Sequence, residues 1–385
     1  MAGLIPFFVI LAAGLFFSET FRRLHLPYVT ALIVAGIVMG PSFLNIVTVS
    51  SDIEFLGTIG VVFLMFIAGS EIKLSSFKAL GKDVVKMSLL NGLIPFATGF
   101  GIAHLFGYGL YTALIVGVVF VSSSIAVIVP SLEANGLIKT KLGKLIASTT
   151  VLEDIASLLL FAFLLQGFTQ KANIPLGFYI PIIIVLIVGL KYVIPKLQKW
   201  YNYRKRGVDR FESELRFVFV VLIATVILFE FLGMHSIVAG FVIGLILGDS
   251  IKDKIEEKVR TVSYGIFIPT FFLIIGIETD LSVFFRNSAL LLTICVVFGS
   301  ILSKIASGFI GGKLSKLTNK ESLLFGFSTT PQLSTTLAAA FAALEFGLLS
   351  SELITSFVVL SIVTTFISPL LVKRLASSRD IKTTD

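Results

Sequence analysis

The stretch Ser148-Thr149-Thr150-Val151-Leu152-Glu153-Asp154-Ile155-Ala156-Ser157 sets two adjacent carboxylates inside a long apolar run, residues 142–166. A run of that length reads as a membrane-crossing helix. A charged side chain at the bilayer centre costs about 2.5–3.5 kcal/mol on insertion scales, and two acids side by side also repel each other. Residues that expensive mark function, so Glu153 and Asp154 are the first candidates for a working site.

Outward from this run, apolar segments recur along all 385 residues, which are 56% hydrophobic and only 14% charged. A soluble domain carries roughly 25% charge. The runs lack the every-second-residue alternation of an outer-membrane barrel, so the expected fold is an all-α polytopic membrane protein. About thirteen spans are expected: 3–21, 27–44, 53–70, 84–106, 111–131, 142–166, 176–196, 212–232, 236–247, 264–276, 288–314, 322–344 and 353–375. The first run has no basic start and continues into a spanning pattern, so it reads as a span and not as a cleavable signal. Cys295 excludes an internal disulfide, and His25, His104 and His235 have no metal-ligand spacing.

The net charge of +8 does not point to nucleic acid, because its positions alternate. Odd-numbered loops carry Arg22 and Arg23; Lys73, Lys78 and Lys82; Lys139, Lys141 and Lys144; Lys199, Arg204, Lys205, Arg206, Arg210 and Arg216; Lys252, Lys254, Lys258 and Arg260; and Lys313, Lys316 and Lys320. Even-numbered loops hold only Lys171 and Arg286, and the end of the chain holds Lys373, Arg374, Arg379 and Lys382. This alternation predicts an odd number of spans, with the amino terminus outside and the carboxyl terminus in the cytoplasm of a prokaryotic cell membrane.

The basic connector near mid-chain suggests two halves. Residues 1–166 form a first six-span unit, 167–211 a connecting span and charged loop, 212–376 a second six-span unit, and 377–385 a short cytoplasmic tail with no soluble regulatory domain expected. Seven spans separate equivalent positions, so the two units would insert inverted. The fifth span of each carries mid-run hydroxyls: Ser122-Ser123-Ser124 in the first, and Ser328-Thr329-Thr330-Pro331-Gln332-Leu333-Ser334-Thr335-Thr336 in the second. Hydroxyl clusters and a proline at matching depth point to interrupted helices around a midplane site, though back-bonding and a simple proline kink give the same residues.

Lys304 lies about 24 Å along its span at 1.5 Å per residue, a depth comparable to that of the carboxylates. A lysine there needs an acidic partner. Adjacent helical residues diverge by about 100°, so one acid can pair with Lys304 while the other faces a water-filled cavity. Thr150 and Ser157 lie one turn either side of Asp154, and Thr149 one turn before Glu153, where hydroxyls can orient a carboxylate or ligate a small cation. Glu71 and Asp280 are expected at helix ends or vestibules.

With these residues in hand, the sequence resembles the monovalent cation–proton antiporter-2 (CPA2) family, which includes sodium–proton antiporters and Kef-like potassium efflux systems. The resemblance rests on Ser122-Ser123-Ser124, Glu133-Ala134-Asn135-Gly136-Leu137, Glu153-Asp154-Ile155-Ala156, Gly276-Ile277-Glu278-Thr279-Asp280-Leu281 and Lys304, and extends along nearly the whole chain. It implies a thirteen-span inverted-repeat fold with two crossed interrupted helices, a core domain and a dimer domain, and hence a homodimer in lipid. It also implies no cofactor and no enzymatic activity. Asp154 then matches the residue that binds the monovalent cation or the proton, Glu153 the preceding acid, Lys304 its partner, and Ser122 to Ser124 the interrupted helix beside the site. Two departures stand out: Glu at 153 where the sodium-exchanging members carry Asp, and Thr330-Pro331-Gln332-Leu333-Ser334 without the usual glycine–glutamate element.

The expected function is secondary antiport of protons against a monovalent cation, sodium or lithium first, by competition for Asp154. A Glu153–Lys304 pair that opens on cation binding would make the exchange electrogenic. Potassium–proton antiport or potassium efflux on the same fold is the alternative, followed by an ion channel, which would need a filter-like repeat that the sequence does not contain. An intramembrane aspartyl protease would need a glycine where Ile246 stands before Gly248 and Asp249.

Overall fold

A computed structural model of the chain describes residues 4–23, 28–71, 81–166, 176–204, 212–248, 251 and 253–376. Among these residues the secondary structure is helical, with no strand. Where no water can serve N–H and C=O groups, a helix closes its hydrogen bonds within one segment. In chain order the helices begin with α1 (Leu4–Arg23), α2 (Tyr28–Met39), α3 (Ser51–Ser70) and α4 (Lys82–Leu105). There follow α5 (Leu110–Val121), α6 (Ile125–Ala134), α7 (Lys141–Gln166), α8 (Leu176–Arg204), α9 (Ser213–Phe231) and α10 (Ser236–Leu247). The chain continues through α11 (Asp253–Val262), α12 (Ile268–Ile277), α13 (Asn287–Leu314), α14 (Asn319–Ser328), α15 (Ser334–Glu345) and α16 (Ser351–Ala376). Helix lies over every expected span, and among the described residues eight helical stretches are long and apolar enough to cross a membrane.

The fifth and twelfth expected spans are split, into α5 and α6 and into α14 and α15, where the hydroxyl clusters pointed to interrupted helices. Other boundaries differ from the sequence reading, each for a local reason. The tenth begins earlier than expected: α11 runs into α12 through a π-helical turn, Ser263–Phe267. Charged residues on α11 concealed it from hydropathy, but some of them are paired: Arg260 bonds Glu71 at 2.7 Å and lies 3.4 Å from Glu256. The basic connector is also shorter than expected, because Lys199 and Arg204 continue α8 and Arg216 belongs to α9. Long basic side chains extend a helix past the apolar zone by carrying their charge outward. Lys73, Lys78, Lys171, Lys205, Arg206, Arg210, Lys252, Arg379, Lys382, His25 and Asp249, and the tail 377–385, lie outside the described residues.

The chain divides into two compact units, each drawing on both sequence halves. One comprises Met1–Val49, Ala79–Phe161 and Phe272–Asp385. Within it α4 packs on α5 and on α13, and α13 packs on α14 and α16. The α13–α14 contact is close: a Cβ on Gly308 would stand 2.4 Å from the Gly326 Cα. This approach brings the break after α14 against the lysine-bearing helix. A cavity of about 560 Å³ in the same unit is lined by Ser42, Thr48, Glu278 and Asp280 among others. Asp280 lies at a helix end there as expected, accepting from the Ser282 N–H at 2.8 Å.

The other unit comprises Ser50–Lys78 and Ala162–Phe271. Its central contact is α3 against α10, both apolar on most faces. Small residues allow helices in lipid to approach backbone to backbone, where dispersion replaces the absent hydrophobic drive. A Cβ on Gly244 would lie 2.0 Å from Phe66 O, and one on Gly69 would lie 2.2 Å from Phe241 O. Overpacking costs about 1–3 kcal/mol or more when backbone must move. Gly244→Val is therefore expected to lower the detergent melting temperature clearly. Gly101→Val, at a position with nothing within 4 Å, is expected to change it little; equal loss in both variants would contradict the close crossing.

Candidate functional site

The site forms where two helices stop. α5 ends at Val121 and α6 begins at Ile125, with Ser122 to Ser124 extended between them. α14 ends at Ser328 and α15 begins at Ser334, with Thr329 to Leu333 between. The two breaks meet: the Ser124 N–H donates to Pro331 O at 2.7 Å, and Ser123 Oγ lies 2.8 Å from Thr329 O. Main-chain groups freed by the breaks must find partners in a buried setting. Phe120 O accepts from Gln332 Nε2 at 3.1 Å, and Val121 O accepts from Lys304 Nζ at 2.7 Å. A lysine thus faces the carboxyl end of α5, the negative end of its dipole.

α7 supplies the two carboxylates, and their surroundings differ. Glu153 is 1% exposed and Lys304 0%. Lys304 Nζ sits 3.0 Å from Glu153 Oε2, 2.8 Å from Ser123 Oγ and 3.3 Å from Asn91 O. Asn91 Nδ2 donates to Glu153 Oε1 at 2.8 Å. Glu153 is therefore held at both oxygens. Ser123 Oγ has one proton and two acceptors within reach, Glu153 Oε2 at 2.9 Å and Thr329 O, so it joins the ion pair to the second break.

Asp154 takes only neutral donors. Ser122 Oγ donates to Oδ1 at 2.9 Å and the Ser123 N–H to the same oxygen at 3.4 Å. No described hydrogen bond reaches Oδ2. The side chain is 5% exposed and is tucked against the serine run. It lies beside the start of α6, which presents the positive end of its dipole here.

Of the remaining predicted residues, Thr150 and Ser157 flank Asp154 without touching its carboxylate. Thr150 Oγ1 donates to Ile146 O and Ser157 Oγ to Asp154 O, each at 3.0 Å. This back-bonding is the usual fate of a hydroxyl in an apolar helix, and it leaves their lone pairs unused. Thr330 likewise bonds its own helix at Gly326 O, 2.9 Å away. Gln332 Nε2 also donates to Ser300 Oγ at 3.0 Å, and its backbone N–H to Thr364 Oγ1 at 3.2 Å. Ser334 is buried at the start of α15. The buried oxygens Ser124 Oγ, Thr149 Oγ1 and Gln332 Oε1 have no partner among the described residues.

The sequence reading missed Asn91 and Ser307. Asn91 lies mid-run on α4 and is 0% exposed, and Ser307 Oγ donates to its Oδ1 at 2.6 Å. A lone amide in an apolar span was the available signal. Ser300, Ser303 and Ser307, within one turn of Lys304, were another.

The family described as Sodium/hydrogen exchanger, transmembrane, matches residues 7–377. The chain belongs to the transmembrane sodium/hydrogen exchanger family. Within it, the chain is 30% identical over 374 residues to the probable Na(+)/H(+) antiporter 3 of Methanocaldococcus jannaschii, covering 96% of this chain and 95% of that one. It is 26% identical over 377 residues to a Na(+)/H(+) antiporter of Enterococcus hirae, covering 95% and 96% of the two chains. The solved structure of the sodium proton antiporter MjNhaP1 from Methanocaldococcus jannaschii at pH 8 superposes with a TM-score of 0.72 at 17% identity, over 98% of this chain and 99% of that one. That likeness establishes the antiporter fold.

Removing one partner of a buried ion pair costs about 3–5 kcal/mol. Lys304→Ala should therefore lower the melting temperature of purified protein, and the paired replacement Glu153→Leu with Lys304→Leu should recover part of the loss. A double variant no more stable than Lys304→Ala would contradict the buried pairing.

Proposed function

We propose that the chain is a secondary active antiporter that exchanges protons for sodium, with Asp154 the group for which they compete. The observation that carries this reading is the asymmetry between neighbours: Glu153 is neutralised by Lys304, whereas Asp154 accepts only from Ser122 and the Ser123 N–H. A buried carboxylate without a counter-ion disfavours its own charge, and a proton or a bound cation each relieves that. The two therefore exclude one another. Ser122, Ser123, Ser124, Thr150 and Ser157 offer oxygens beside the carboxylate, and Thr330, Pro331, Gln332 and Ser334 form the second break, supplying main-chain and amide oxygens.

The Glu153–Lys304 pair is a second step in this reading. Opening of the pair as the cation binds, with release of the lysine proton, exchanges two protons for one cation and moves net charge. The paired lysine and acid favour the CPA2 branch, with no cofactor, the amino terminus outside and the carboxyl terminus in the cytoplasm of a prokaryotic cell membrane. Residues 1–166 and 212–376 act as inverted repeats, and the active species is a homodimer. Movement of the unit bearing Asp154 exposes the site to each side in turn.

The reading is tested with purified protein in liposomes, by following internal pH on addition of sodium, lithium or potassium. Asp154→Asn should abolish the sodium response while eluting as folded protein; normal exchange by this variant removes the proposed site. A response to potassium equal to that for sodium favours the potassium alternative. Glu153→Gln should lose the response to an imposed membrane potential, or lose exchange altogether. Full voltage-sensitive exchange by Glu153→Gln would rule out the second step.

A further inference from the structure

We infer that Asn91 is a positioning residue: it latches Glu153 onto Lys304 in the cation-free state and thereby sets how tightly sodium is held. This inference rests on the reading of Asp154 and the ion pair given above.

The geometry comes from a single amide that touches three elements. Asn91 Nδ2 donates to Glu153 Oε1 on α7 at 2.8 Å. Its Oδ1 accepts from Ser307 Oγ on α13 at 2.6 Å, and from Thr329 Oγ1 at the second break at 3.4 Å. Its backbone oxygen accepts from Lys304 Nζ at 3.3 Å. The Glu153 carboxylate, an acceptor only, fixes which end of the amide faces it, and the hydroxyls, able to donate or accept, adapt to that orientation. Rotated by 180°, the amide would set its oxygen against a carboxylate oxygen, which no proton could bridge while Glu153 is charged.

The consequence is energetic. Lys304 holds Oε2 and Asn91 holds Oε1, so opening the pair must break a hydrogen bond to a charged group as well as the ion pair. Such bonds are among the stronger ones in a buried setting. Asn91 therefore stabilises the closed pair, which the cation must displace. Without the Asn91 donor, the closed state loses that bond and sodium competes more easily.

The test is a sodium titration of thermal stability in detergent, which reads binding without transport. Four proteins are compared: wild type, Asn91→Leu, Glu153→Gln and the double variant. Asn91→Leu should lower the half-stabilising sodium concentration by about tenfold, as expected for one charged hydrogen bond. In the Glu153→Gln background the same replacement should change it by less than about twofold, because no ion pair remains there for the amide to hold closed. Ser307→Ala, which leaves the amide less firmly oriented, should shift the midpoint in the same direction by a smaller factor, and it carries the test if Asn91→Leu does not fold. An unchanged sodium midpoint in both Asn91→Leu and Ser307→Ala, or an equal shift with and without Glu153, overturns the inference. A purely structural amide would lower the melting temperature at zero sodium and leave the midpoint alone. Asp154→Asn separates the two levels. If it still shows sodium stabilisation, the site reading itself fails; if it does not, and the Asn91 variants match wild type, only the latch fails.

Discussion

A fully buried lysine is the constraint around which the site-bearing unit is arranged. An ammonium ion taken out of water loses a large solvation energy, and only close, well-directed acceptors return it. Four lie within reach of the three N–H groups of Lys304: Glu153 Oε2, Ser123 Oγ, Val121 O and Asn91 O. Two of these exist because α5 stops at Val121. An unbroken helix would hold the Val121 carbonyl in its own ladder, and would point Ser123 along its own surface. The interruption is therefore what makes room for the lysine.

The second interruption completes the same pattern from the other side. Gln332 caps the carbonyl of Phe120, and Pro331 offers its carbonyl to the Ser124 N–H. Proline at that position has no N–H to leave unpaired. The two breaks thus satisfy each other, and the helix ends carry opposite partial charge toward the middle of the unit. The cationic side chain sits at the carboxyl end of α5, and Asp154 sits by the residues that precede α6. Acid and base are separated along one broken helix although Glu153 and Asp154 are neighbours in sequence. That separation leaves Asp154 held by the Ser122 hydroxyl and the Ser123 N–H, with no ion pair among the described residues.

Much of this was legible in the sequence because membrane helices tolerate so few exceptions. Glu153, Asp154 and Lys304 stood out as charges in apolar runs, and the hydroxyls at 122–124 and 328–336 marked the breaks. What could not be read was contact. The 3.6-residue period says where a side chain points relative to its own helix and nothing about which neighbour it meets. Asn91 was thus passed over as one polar residue in α4, and Ser307 as one of several serines. Thr150 and Ser157 were read as hydroxyls able to orient the carboxylate or ligate a cation; their protons go to the carbonyls of α7, a choice between two local partners that sequence does not express. The start of α11 was missed for the opposite reason: its Arg260 is paired with Glu71 and Glu256, and hydropathy counts charges without pairing them.

The central claim is that hydrogen ion and metal ion displace each other at one carboxylate. The most direct measurement is of protons released into a weakly buffered detergent solution of the purified protein when sodium is added, with choline as the control cation. The account predicts that sodium binding frees protons, that the release saturates with the binding curve, and that acidification raises the sodium concentration needed. Sodium binding that frees no protons across the neutral range would contradict it.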